Sequence, residues 1–188
     1  KVSLIVGCLI DDIQSFERLL PSLDANSDYI NEIICVISGI DSTNDTKRVD
    51  NLNNLSISRL VILKFNHVLL PGAARNVGIA KSNNDFVAFI DVNTTPNPKW
   101  LSTSLSIIKE RNLQGLLGKT TYLSSTIFQR CFIAATYGFK PISTVPGTVA
   151  SKSLIRSVGF FIPSVRAGED AEWIDRAVHF ENSAIHSK

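Results

Sequence analysis

The sequence predicts an α/β fold with a mixed, mostly parallel sheet flanked by helices, and three observations carry that reading. Short runs rich in Val, Ile and Phe alternate with amphipathic segments through about residue 111, the pattern of strand–helix units. The run Phe86-Val87-Ala88-Phe89-Ile90 is apolar without alternation, as a strand covered on both faces should be. That run ends abruptly in Asp91-Val92-Asn93. Side chains at i and i+2 of an extended chain point the same way, out of the carboxyl edge where open α/β sheets bind ligands.

Each element follows from local signals. Residues 2–7 read as the first strand, and residues 13–23 as a helix with Ile13, Phe16, Leu19, Leu20 and Leu23 on one face. Residues 32–37 are a second strand, followed by a Ser/Asp/Asn loop and a short helix over 46–55. Residues 59–65 form a third strand and 71–82 a helix opened by Pro71-Gly72. The fourth strand covers 86–90, and Asn97-Pro98 supplies an N-cap and first-turn pair for a helix to about residue 111. Beyond residue 112 the alternation loosens. Residues 113–123 fit a strand or a hairpin, 124–139 a helix, 144–150 a strand, 152–158 a short helix and 168–180 a final helix. No repeat or low-complexity linker interrupts the chain, which reads as one domain with two functional halves.

Bulk properties narrow the function. With 188 residues, 44% hydrophobic and 19% charged, the chain has the composition of a soluble globular domain. A formal charge of +2 speaks against nucleic acid as a partner. No apolar run reaches the length of a transmembrane span, and no secretory leader pattern opens the chain. Cys8, Cys35 and Cys131 have no metal-ligand spacing, and an odd count reads as free thiols in a reducing, cytoplasmic compartment. The lack of any methionine and the end at His186-Ser187-Lys188 suggest a piece of a longer protein.

Three segments can carry chemistry. Asp91 and Asn93 are hard oxygen donors suited to Mg²⁺ or Mn²⁺, which usually travel with phosphate. The same residues, with Thr94-Thr95-Pro96, are also ordinary turn formers, and spacing alone does not choose between the two. Gly72-Ala73-Ala74-Arg75-Asn76-Val77-Gly78 opens a helix with small residues that permit close approach, and Arg75 is a directed anion donor. Its alternative is a tightly packed helix start with a surface ion pair. Arg166-Ala167-Gly168-Glu169-Asp170 leads into the last helix, where acidic residues complement the macrodipole. As a general base, Asp170 would need a raised pKa; Glu169 and Trp173 would raise it and the helix terminus would lower it. His67, His179 and His186 lack zinc spacing. Asn44, Asn54 and Asn93 begin N-glycosylation patterns of the kind that arise by chance.

In order along the chain, these segments resemble the family 2 nucleotide-sugar glycosyltransferases of GT-A fold. The resemblance rests on Val2-Ser3-Leu4-Ile5-Val6, Glu32-Ile33-Ile34-Cys35-Val36 and Ala74-Arg75-Asn76-Val77-Gly78. It continues through Phe89-Ile90-Asp91-Val92-Asn93 at the D-x-D position, Pro98-Lys99-Trp100-Leu101, Ser157-Val158-Gly159-Phe160 and Gly168-Glu169-Asp170. It implies a donor half over 1–95 and an acceptor half over 96–188. Gly7, Cys8, Ser38 and Gly39 should border the base, with Arg75 near base and ribose. Asp91 and Val92 should contact the ribose or the metal-bound diphosphate, and Asp91 and Asn93 should hold Mn²⁺ or Mg²⁺. Asp170 is the implied catalytic base and Glu169 its neighbour in the acceptor pocket. The implied reaction inverts the anomeric centre, moving sugar from a UDP- or GDP-sugar to a glycan or lipid-linked acceptor in cell-surface polysaccharide assembly. That work is placed in the cytoplasm, with peripheral contact at the inner face of the membrane left open.

Three departures from the pattern stand out. Asn93 replaces an anionic metal ligand, which should weaken metal binding. Ile37-Ser38-Gly39 stands where the family places an Asp beside the base, with Asp41 as a substitute from the loop. Gly7-Cys8-Leu9-Ile10 replaces a Pro-Thr-polar-Asn turn. The first two motivate a second hypothesis, a catalytically degenerate domain that binds a glycan or partner. A sugar-phosphate nucleotidyltransferase is the third, and the segment Leu9-Ile10-Asp11-Asp12 is neither Gly-rich nor basic as that class requires.

Overall fold

The computed structural model describes residues 1–52 and 59–186, with side chains described through residue 180. The first elements are β1 (Val2–Leu9), α1 (Ile13–Ser22), β2 (Ile30–Ser38), α2 (Thr43–Leu52), β3 (Leu60–Phe65), α3 (Pro71–Lys81) and β4 (Phe86–Phe89). They are followed by α4 (Trp100–Glu110), β5 (Gly115–Thr120), α5 (Ile127–Thr136), β6 (Ile142–Ser151), α6 (Lys152–Val158) and α7 (Glu169–His186). The described strands form one sheet in the order β3-β2-β1-β4-β6-β5. β1 runs parallel to β2 and β4, and β2 parallel to β3, while β6 is antiparallel to both β4 and β5. Strand direction therefore switches between β4 and β6.

Alternation along β1 separates the two faces. Val2, Leu4, Val6 and Cys8 join one buried cluster with Phe16 of α1, Leu52 of α2 and Leu101 of α4. Ile5 points the other way, to Ile79 of α3, Leu154 and Ile155 of α6 and Trp173 of α7. On that face α3 seats tightly because it lacks side chains where it crosses the sheet. A Cβ on Gly78 would stand 2.4 Å from Ile5 Cγ2, and one on Gly72 would stand 2.3 Å from the Ile162 carbonyl oxygen. The group that approaches these small residues is thus the chain itself. Asn76 fixes the same contact: its amide donates to the Phe161 carbonyl (2.8 Å), and its side-chain oxygen accepts from the Phe161 N–H (3.1 Å).

Local boundaries differ from the sequence expectation at several elements, and three of the differences have local hydrogen bonds to account for them. The helix expected over 46–55 starts at Thr43, because the Ser42 hydroxyl accepts from the Asp45 N–H at 3.1 Å and caps it earlier. Its expected tail, with Asn54-Leu55-Ser56, lies outside the described residues. Asn97-Pro98 does not cap α4. Asn97 accepts from the Lys99 N–H (2.9 Å) in a turn, and the Leu101 N–H is taken by the side chain of buried Asn26 (3.0 Å). The third difference is at β4, which stops at Phe89; a turn follows, with Thr94 N–H donating to the Asp91 carbonyl at 2.9 Å. Asp91 and Asn93 are therefore presented by a turn and not by the last residues of a strand.

Candidate active site

A cavity of about 530 Å³ opens at the carboxyl edge of β1, β2 and β4. Gly7 and Cys8 from β1, Ser38 from β2, Arg75 from α3 and Asp91, Val92 and Asn93 from the turn after β4 all line it. Glu169 and Asp170 close it from the start of α7. Residues up to 163 positions apart in sequence therefore share one cavity, from Gly7 to Asp170. Gly39, one residue past β2, is not among the lining residues; its N–H donates to the His67 carbonyl at 3.3 Å.

Arg75 is the centre of the charged cluster. Its guanidinium donates to Glu169 Oε1 (3.0 Å), Asp170 Oδ1 (2.5 Å) and Asp91 Oδ1 (3.3 Å), and it lies 5.5 Å from the centroid of the Phe161 ring. The Arg75 side chain is only 7% exposed. A buried guanidinium cannot be deprotonated, so it must be neutralised in place, and three carboxylates do this. The surface ion pair allowed for Arg75 is in fact a buried hub that ties the D-x-N turn to the Glu-Asp pair. Glu169 is itself buried, at 6% side-chain exposure, beneath the guanidinium. Asp91 is half exposed, with one face turned to the cavity.

The opposing influences on Asp170 resolve in favour of a raised pKa. Its carboxyl is raised from 3.8 to about 6, with burial the largest of the causes. The Arg75 charge pulls it down, Asp91 and Glu169 push it up further, and a backbone hydrogen bond from Val145 lowers it. A carboxylate with a pKa near 6 is largely ionised at neutral pH yet basic enough to accept a proton in a transition state.

Sequence reasoning assigned no role to several residues that line the cavity. Asp12, Arg166 and the wall formed by Val68, Leu69, Leu70 and Pro71 belong to it. Tyr122 stands close enough for the charges of Asp170 and Asp91, with burial the larger cause, to raise its hydroxyl above the usual tyrosine range. Arg166 sits three residues before Glu169, a proximity visible in the sequence. Tyr122 is brought in by β5, and no local pattern marks it.

A divalent cation fits this arrangement in one way. Among the described residues no group of three or more His, Cys, Asp and Glu side chains is arranged to hold a metal. Asp91 and Asn93 offer two oxygen donors to the cavity, the number from which Mg²⁺ or Mn²⁺ is commonly held together with substrate phosphates and water. The lining also carries four carboxylates (Asp12, Asp91, Glu169, Asp170) against two guanidinium groups (Arg75, Arg166). An anionic diphosphate entering that field needs a further cation.

Comparison with known proteins places the chain in context. Residues 5–131 match the model of a family described as glycosyl transferase family 2. Pre-mycofactocin glycosyltransferases of Mycobacterium tuberculosis, from strains CDC 1551 / Oshkosh and H37Rv, are each 30% identical over 59% of this chain. The match spans only 27% of those relatives' length. Among solved structures, Staphylococcus aureus TarS aligns over 94% of this chain and 33% of its own, with a TM-score of 0.67 and 20% identity. A 1–349 form of TarS in complex with UDP-GlcNAc aligns over the same share of this chain, with a TM-score of 0.66 and 19% identity, and covers 53% of that chain. The mannosyltransferase PcManGT of Pyrobaculum calidifontis, in complex with GDP-Man and Mn²⁺, aligns over 94% of this chain and 51% of its own. Its TM-score is 0.63 and its identity 13%.

Proposed function

This chain belongs to glycosyl transferase family 2, with the GT-A fold of its structural neighbours, and from that premise we propose that it transfers a sugar from a nucleotide-diphosphate donor to an acceptor hydroxyl with inversion. Residues 1–95 form the donor half and 96–188 the acceptor half of one domain. The single observation that carries the reading is the cluster in which Arg75 joins Asp91, Glu169 and Asp170 inside one cavity.

Gly7, Cys8 and Ser38 border the base, with Gly39 behind them and outside the lining, and Asp91 and Val92 meet the ribose and diphosphate. Asp91 and Asn93 would hold Mn²⁺ or Mg²⁺. That ion, when bound, neutralises charge developing on the departing diphosphate oxygens. Asp170 takes the proton from the acceptor hydroxyl as its oxygen bonds to the anomeric carbon and the bond to diphosphate breaks. Arg75 fixes the Asp170 carboxylate and Glu169 fixes Arg75, so the base is held in register. The complexes of TarS with UDP-GlcNAc and of PcManGT with GDP-Man and Mn²⁺ support a UDP- or GDP-sugar donor. The acceptor is a glycan or lipid-linked glycan in cell-surface polysaccharide assembly, carried out in the cytoplasm at the inner face of the membrane.

Calorimetric titration with UDP-, GDP- and CDP-sugars, with and without Mn²⁺, tests the donor site. Binding of one donor strengthened by Mn²⁺ is expected. Absence of metal-enhanced binding to all three would instead identify a degenerate glycan- or partner-binding domain.

A further inference from the structure

Helix α5 presents the wrong side to water for a helix of a globular domain. At 100° per residue, Ile127, Phe128, Cys131, Phe132, Ala134 and Ala135 fall on one arc of roughly 160°. Every one of them is exposed, and the helix is held to the body by Ile133, which is buried on the opposite side. Ile127 is 83% and Phe128 80% exposed, and neighbouring Leu123 is 88% exposed. Phe132 and Phe139 extend the same apolar surface, and the Arg130 guanidinium lies 5.8 Å from the centroid of the Phe139 ring. A contiguous patch of this kind marks an interaction site.

Charge identifies the partner. Between Glu110 and Glu169 the sequence contains no Asp or Glu, yet it includes Lys119, Arg130 and Lys140, of which Arg130 lies on α5 and Lys140 directly follows Phe139 of the patch. Among the described residues none of these three cations is paired with a carboxylate. An apolar helix face in a stretch of chain whose charged residues are all cations is complementary to a lipid surface with anionic headgroups. A second copy is a poorer occupant, because two such patches brought face to face would set cation against cation.

We propose that the outward face of α5, with Arg130 on the helix and Lys140 beyond Phe139, docks this chain on an anionic lipid bilayer. Tyr122 and Tyr137, the latter one residue past α5, stack at 4.1 Å and are both exposed beside this face. The inference stands on α5 and its charges and does not rest on sugar transfer.

Flotation of the chain with phosphatidylcholine vesicles, with and without phosphatidylglycerol, at low and high salt tests it. The chain is expected to float with the anionic vesicles and to be released by salt. Combined Phe128→Glu and Phe132→Glu should weaken vesicle binding about tenfold or more, and Arg130→Gln about fivefold. Unfolding midpoint and donor binding should stay unchanged in both. If the double variant folds poorly, Leu123→Ser with Ile127→Ser gives the same readout. A wild-type chain that does not float, or folded variants that float as well as wild type, would overturn the proposal. So would sedimentation showing a dimer that the Phe substitutions convert to monomer, which assigns the face to a second copy.

Discussion

Replacing Asp170 by Asn should abolish transfer and at the same time stabilise the fold, and the size of the gain follows from the site. The Asp170 pKa is raised from 3.8 to about 6, with burial the largest of the causes. A shift of that size corresponds to about 3 kcal/mol between the protonated and ionised forms in the folded chain. Because the folded-state value lies above the unfolded one, the native state holds this proton more tightly. Its contribution is fully present below about pH 4 and is lost as pH rises through about 6. Near neutral pH the wild-type chain therefore carries a buried carboxylate that costs it stability, and a neutral amide removes the cost. Since the amide cannot reproduce every hydrogen bond of the protonated acid, the net gain expected is about 1–3 kcal/mol. Urea unfolding of both proteins near neutral pH and at about pH 4 measures it. The variant should be more stable at the higher pH and equal to wild type at the lower. Transfer should fall by roughly 10²–10⁴-fold, the contribution of a general base. A variant less stable near neutral pH, or equally stabilised at both, would refute the electrostatic account; transfer at the wild-type rate would refute the base.

Three further outcomes are expected. Asn93→Asp adds an anionic ligand to the D-x-N turn and should strengthen the Mn²⁺-dependent part of donor binding, measured by the same calorimetry. Arg75→Met leaves Glu169 buried without its cation and should cost about 3–5 kcal/mol in urea unfolding, whereas a loss within error would place the cluster in a far more solvated setting. Gly72→Ala sets helix propensity, worth about 1 kcal/mol in favour of Ala, against a Cβ placed 2.3 Å from the Ile162 carbonyl oxygen. The clash should win by about 1–3 kcal/mol, and a rise in thermal stability would show that the α3 seat is looser than it looks.

The parts of the fold that were legible are those in which local chemistry and tertiary packing agree. The strand run 86–90 and the Phe16-Leu19-Leu20 stripe announce themselves, because burial on two faces or on one leaves a different period in the sequence. Asn97-Pro98 misled because a cap signal is also a turn signal, and Asn26, more than 70 positions earlier, supplies the hydrogen bond to Leu101. At the site, Asp91, Asn93, Glu169 and Asp170 were each visible as an acid or amide at an element boundary. The role of Arg75 was not, since its anionic partners Glu169 and Asp170 lie 94 and 95 residues away. The glycines on either side of it were legible as places of close approach, but not that Ile162 and Ile5 are what approaches. A sequence shows that space is left, but only the packed chain shows what occupies it.

The antiparallel pairing of β5 with β6 has a consequence for how such a domain can change. Thr120 and Ile142 are direct partners across the two strands, so everything between them leaves and re-enters the sheet at one point. Helix α5 and its flanking aromatic residues thus form a closed excursion, tethered at one rung of the ladder and seated on the body through Ile133. Its length and surface can be exchanged without shifting β1, β2 or β4, whose ends carry the cavity. Partner preference on this excursion is therefore separable from the cavity, and two chains with the same cavity can differ in what the excursion meets.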